Sequence, residues 1–126
     1  MIDINNRALL NLTQSVAFSD KIKPYLLPEE SVLDALHNGE QGVVLTGYRA
    51  FLLSTHGGGE ELPTSVNVTV LPYHQVSAYA LESNDGFKEH AVLELHSQAL
   101  GLLKLQCQGN NNLPRVIKAI AQQHLK

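Results

Sequence analysis

Apolar residues in this chain come in short bursts, and the spacing inside the bursts changes from one region to the next. Between positions 31 and 107 the bursts fall at 31–37, 42–46, 48–54, 66–71, 76–82, 91–96 and 102–107. Turn-forming residues punctuate them: Asn38-Gly39, Thr46-Gly47, Gly57-Gly58-Gly59, Pro72-Tyr73-His74, Asn84-Asp85-Gly86, Gly101 and Gly109. Alternation is direct in two of the bursts. Val66, Val68 and Val70 share one face while Asn67 and Thr69 share the other, and Leu93 and Leu95 oppose Glu94 and His96. Seven short strands at this spacing predict an antiparallel sandwich or barrel.

Both ends of the chain carry a different period. After Asn110-Asn111-Asn112, the residues Leu113, Val116, Ile117, Ile120, Ala121 and Leu125 recur at three-and-four spacing and predict an amphipathic helix over 113–125. An Asn can cap its start, Pro114 suits the first turn, and Lys118, His124 and Lys126 lie toward the end, where cations are favoured. A helix with one apolar stripe must cover something, and the open mouth of a curled sheet is its natural partner. At the other end Ala8, Leu9, Leu12 and Val16 recur at helical spacing and predict a short helix over 5–13. Pro24 and Pro28 then impose an extended connector. The expected organisation is one mainly β domain over 1–126, with a helical extension over 1–27, seven strands over 31–107 and a capping helix over 113–125.

With 126 residues, 44% of them hydrophobic, the chain can bury a core without staples. No run approaches the roughly 18 apolar residues that span a bilayer, and the first residues lack the basic start and apolar stretch of a signal peptide. A cytoplasmic protein is the expectation. The single cysteine, Cys107, excludes an internal disulfide; its parity with Leu103 and Leu105 predicts a buried structural thiol. A net charge of -3 with scattered basic residues argues against nucleic acid and against anionic membranes.

Three local sequences carry a resemblance. They are Leu26-Leu27-Pro28-Glu29-Glu30-Ser31-Val32 before the first expected strand, the hairpin Val43-Val44-Leu45-Thr46-Gly47-Tyr48-Arg49-Ala50-Phe51-Leu52-Leu53, and the step Leu71-Pro72-Tyr73-His74-Gln75-Val76. Together with seven strands and one C-terminal helix, their order resembles the bacterial pleckstrin-homology domains, a family long classed as a domain of unknown function. The resemblance covers nearly the whole chain. It implies a PH-like seven-stranded barrel, a non-enzymatic module, and self-assembly into rings; it implies no ligand.

Phosphoinositide binding would be inherited from eukaryotic relatives of that fold, which hold phosphate with Lys and Arg between the first two strands. Here that loop is His37-Asn38-Gly39-Glu40-Gln41, with no basic residue other than histidine and one acid, so phosphoinositides are not expected. The six histidines (His37, His56, His74, His90, His96 and His124) show no ligand spacing; His90 and His96 on one strand would stand roughly 20 Å apart. There is no Gly-x-Ser-x-Gly elbow, and Glu60-Glu61 rather than a Gly-Lys-Ser/Thr follows the glycine run, which reads as a hairpin excursion. Neither catalysis, a metal nor a cofactor is expected.

The feature that points outward is large apolar side chains on both parities of 42–45, 50–53 and 101–103. A small barrel has one inner face, so some of these must find other cover. The expected N-terminal helix can supply part of it and a homo-oligomeric contact, with the chain itself or another protein as partner, the remainder. The candidate interaction residues are Val44, Arg49, Leu52, Tyr73 and Leu102. Arg49 reads first as a pin for its hairpin and second as a clamp for a partner carboxylate; Tyr73 reads first as a packing aromatic. The alternative is a small-ligand-binding barrel with its pocket between sheet and helix.

Overall fold

The computed structural model describes residues 7–39, 41–56, 65–83, 85–86 and 89–125. The glycine run 57–59, the order of the loop 55–65 and Glu40 of the first hairpin loop lie outside what is described, as do the side chains of Thr55 and Ser65. All seven expected strands are present within a residue or two of their predicted ends: β2 Val32–His37, β3 Gln41–Thr46, β4 Arg49–His56, β5 Ser65–Pro72, β6 Val76–Glu82, β7 His90–Ser97 and β8 Gly101–Gln108. The helix α1 follows as Leu113–His124, with Asn112 as its N-cap and Pro114 in its first turn.

The first segment departs from its prediction. Arg7–Gln14 is a strand, β1, and not a helix. It lies in the middle of one eight-stranded curled sheet of order β5-β4-β3-β2-β1-β8-β7-β6. The strand pairs parallel with β8 and antiparallel with the end of β2; every other pairing in the sheet is antiparallel. The helical spacing has a specific cause. Asn11 takes a positive φ of 59°, and the register against β8 shifts between Leu9 and Leu12. An irregularity of that kind turns two apolar residues three apart to the same face, so both Leu9 and Leu12 are buried and mimic a helix turn. In this first segment helical backbone follows the strand, as short 3₁₀ stretches at Val16–Lys21 and Lys23–Tyr25.

Two apolar layers flank the sheet. Inside the curl, Leu36, Val43, Leu45, Leu52, Leu93, Leu95, Leu103 and Leu105 pack with Leu113, Val116 and Ile120 of α1 into one core. The helix therefore fills the mouth of the curl with its own side chains. Outside, Ala35, Val44, Phe51 and Leu53 form a second cluster under Phe18 and Ile22, delivered by the 3₁₀ turns. Gly42 allows this cover to seat, because a β-carbon there would overlap the Phe18 ring and approach the Leu36 carbonyl oxygen to 2.7 Å. At about 25 cal/mol per Å² of apolar surface removed from water, this second layer is a stabilising element and not a bare face.

Candidate interaction surface

The three sequences that carried the resemblance meet at one buried polar cluster. Glu30 arrives from the connector before β2, Thr46 and Arg49 flank the β3–β4 turn, and Tyr73 follows Pro72 in a 3₁₀ turn after β5. The Glu30 side chain is fully buried, so its charge must be met inside the protein. Arg49 donates to it twice, from Nε at 2.9 Å and from Nη2 at 2.8 Å, and Thr46 Oγ1 donates at 2.6 Å. The backbone N–H of Leu27 supplies a further bond at 3.1 Å. Burial pushes the Glu30 carboxyl up, but the bonds from Arg49, Thr46 and Leu27 outweigh it and hold the group below its ordinary value. The bond to Glu30 raises Arg49 in turn. Arg49 Nη2 also donates to the Tyr25 carbonyl, and its guanidinium lies 4.7 Å from the Phe51 ring centre. Tyr73 donates its hydroxyl to the Thr46 carbonyl at 2.8 Å, and burial holds the phenol far above its usual range.

A second joint ties the N-terminal strand to the helix. Asp34, in β2, is buried; its carboxylate accepts from Gln14 Nε2 of β1 at 2.9 Å, from its neighbour's N–H on Ala35 at 3.0 Å, and from the Asn112 N–H at 2.7 Å. Burial holds its carboxyl above the ordinary value despite those bonds. Asn112 returns a bond to the Leu33 carbonyl. Each cluster joins segments distant in sequence.

Of the five candidate interaction residues, three are corrected. Val44 lies under the Phe18 cover, while Leu52 and Tyr73 lie in the inner core. The parity argument placed them near a surface, but the 3₁₀ turns and α1 already cover both faces there. Arg49 serves Glu30, leaving its side chain 24% exposed, and Leu102 is half-buried on β8.

Besides scattered exposed side chains such as Leu10, Val16, Tyr79 and Leu125, apolar surface stays uncovered one strand further out. β5 is an edge of the sheet, and it faces outward through Val68 and Val70, 37% and 41% exposed. These pair across to Leu53 and Phe51 of the second cluster, so they continue its apolar face beyond the reach of Phe18 and Ile22. Tyr25 and Leu27, 59% and 56% exposed, reach the same region: the Tyr25 backbone binds Arg49, Arg49 stacks on Phe51, and Phe51 is the cross-strand neighbour of Val70. The strand carries no charged residue. Natural sheets usually guard an edge with charge, a bulge or cover. Sequence alternation revealed the valine row but not the face it takes.

A shallow cleft of about 260 Å³ lies elsewhere, lined by Glu82, Ser83, His90, Gln106 and Cys107 among others. Cys107 in its wall is buried, and burial together with the Asp34 charge pushes the thiol up to about 12. Among the described residues no three of His, Cys, Asp and Glu gather as metal ligands, and no helix is long and apolar enough to cross a membrane.

Neither a protein-family model nor a curated protein matches the sequence. Two solved structures do match in fold. A DUF1696 family protein with a pleckstrin-homology domain from Shewanella loihica PV-4 aligns at a TM-score of 0.65 and 18% identity, covering 92% of this chain and 99% of that one. A pleckstrin homology domain from Shewanella amazonensis SB2B aligns at a TM-score of 0.55 and 20% identity, covering 90% of this chain and 92% of its own. The chain therefore has the pleckstrin-homology fold in the form seen in these two bacterial domains.

Proposed function

We propose that this chain is a non-enzymatic PH-like module that associates with copies of itself and presents the assembled surface to another protein or peptide. The observation that carries this reading is the uncovered apolar strip of Val68, Val70, Tyr25 and Leu27 beside the uncharged edge strand β5. Residues of this kind on a sheet edge lower their free energy by meeting another chain, through both strand pairing and burial. The family resemblance of the three sequence motifs, which implies self-assembly into rings, supports the same reading. Phosphoinositides are not the proposed ligand, because the loop at 37–41 brings no Lys or Arg to a phosphate.

The test is light scattering coupled to size-exclusion chromatography at several concentrations. A discrete mass of several subunits is expected, and a Val68→Lys/Val70→Lys pair should shift it toward monomer at least tenfold in concentration, since partial burial of two valines is worth about 2 kcal/mol per contact. A chain that stays monomeric at high concentration overturns the reading and favours the ligand-binding barrel. That alternative has less room than the sequence allowed, because Leu113, Val116 and Ile120 fill the space between sheet and helix.

A further inference from the structure

The β2–β3 turn carries Asn38 followed by Gly39, the one Asn-Gly step in the sequence. Asn38 is exposed and held at three points. Its Nδ2 donates to the Leu10 carbonyl of β1 at 3.0 Å, its Oδ1 accepts the Gln41 N–H at 3.2 Å, and its own N–H donates to the Gln41 carbonyl at 2.9 Å. Gly39 sits at φ +109° with open space where a β-carbon would stand. We propose that Asn38 is a site of self-catalysed deamidation, and that its conversion unstraps β1 from the β2–β3 turn.

The chemistry needs water alone. The Gly39 backbone nitrogen gives its proton to solvent base and attacks Asn38 Cγ, forming a new N–C bond. Negative charge gathers on Oδ1, where the Gln41 N–H already stands as an oxyanion donor. Collapse breaks the Cγ–Nδ2 bond; Nδ2 takes a proton and leaves as ammonia, and a cyclic imide remains. Water then adds to one of its two carbonyls and opens the ring to aspartate or isoaspartate. Glycine at 39 matters because no side chain crowds the attacking nitrogen.

The product differs from Asn38 where β1 depends on it. A carboxylate only accepts, so it cannot donate to the Leu10 oxygen and instead sets two acceptors face to face. β1 otherwise pairs with β2 only at Thr13 and Gln14, so this bond is the strap at the middle of the strand. The isoaspartate route also inserts a methylene into the backbone of the hairpin turn.

The experiment incubates the folded chain and the urea-unfolded chain in parallel at mildly alkaline pH. Peptide mapping by mass spectrometry and isoaspartyl methyltransferase labelling then follow position 38. The acid form should accumulate in the folded chain at least as fast as in the unfolded one. A folded chain that keeps its amide while the unfolded chain loses it overturns the site. For the consequence, hydrogen exchange of Asn38→Asp is compared with that of Asn38→Gln, which keeps a donor amide. Exchange across residues 8–12 should quicken about 5- to 10-fold in Asn38→Asp, as expected for one net hydrogen bond, with β7 unchanged. Equal exchange in the two variants overturns the unstrapping.

Discussion

Replacing Arg49 by Met keeps most of its volume and removes the charge that Glu30 was buried against. Glu30 then retains the Thr46 and Leu27 donors but no cation, in a position its side chain shares with no solvent. Breaking a buried pair from one side costs about 3–5 kcal/mol; because Arg49 is itself partly exposed, about 3 kcal/mol is expected here. Met also loses the bond to the Tyr25 carbonyl, included in that figure. Urea unfolding should show a lower midpoint with an unchanged slope, and heat should unfold the variant about 10–15 °C earlier. The pH dependence follows from the direction of the Glu30 shift. Its folded value lies below 4.5, so its contribution is complete above 4.5 and fades as pH falls through the lowered value. Without Arg49, burial prevails and the sign reverses. The gap between the parent and Arg49→Met should therefore narrow in acid. Pairing Glu30→Gln with Arg49→Met should recover about 1–3 kcal/mol relative to additivity. A cost below about 1 kcal/mol, or a gap constant from neutral to acid pH, would refute the assignment of Glu30 and Arg49 as one unit.

Two further outcomes test the layers around the sheet. Gly42→Ala should displace Phe18 and open the outer cluster, costing about 1–3 kcal/mol in urea unfolding and raising binding of a hydrophobic dye; a neutral result would remove Phe18 from its place on the sheet. Asp34→Asn should cost about 1–3 kcal/mol, because one amide oxygen cannot serve the Gln14, Ala35 and Asn112 donors. In the parent, the raised Asp34 value means that its contribution is complete below 3.8 and is lost as pH rises through the folded value. That slope should vanish in the variant, and urea midpoints across the acid range would show whether it does.

The strands from β2 to β8 were legible because hairpin turns and short apolar runs are local signals, and α1 because its stripe is unbroken over three turns. β1 was not. A bulge at Asn11 gives a strand the apolar spacing of a helix, and its partner β8 lies almost a hundred residues away, beyond any local pattern. The doubled parity of Val43-Val44-Leu45 and Ala50-Phe51-Leu52-Leu53 correctly signalled two apolar layers. It could not say that Phe18 and Ile22 close the second, since a 3₁₀ segment has too short a period to announce the face it covers. Hence Val44, Leu52 and Tyr73 were placed at a contact and prove buried, while the exposed valines stand on the neighbouring strand. The resemblance motifs marked conformational joints: Glu30, Thr46, Arg49 and Tyr73 hold loops together.

The placement of β1 also sets the order in which the molecule can be assembled. β2 to β5 and β6 to β8 are two meanders whose hairpins close over short loops and can form as the chain emerges. β1 is made before the other seven strands yet must wait: Leu9 finds Leu105 only once β8 has been synthesised. Until then each half-sheet has an unsatisfied flank, and the first of the eight strands in sequence is the last to be locked. The delay is the loop-closure entropy of one parallel pairing, and β1 should be the last of the strands to become protected from exchange.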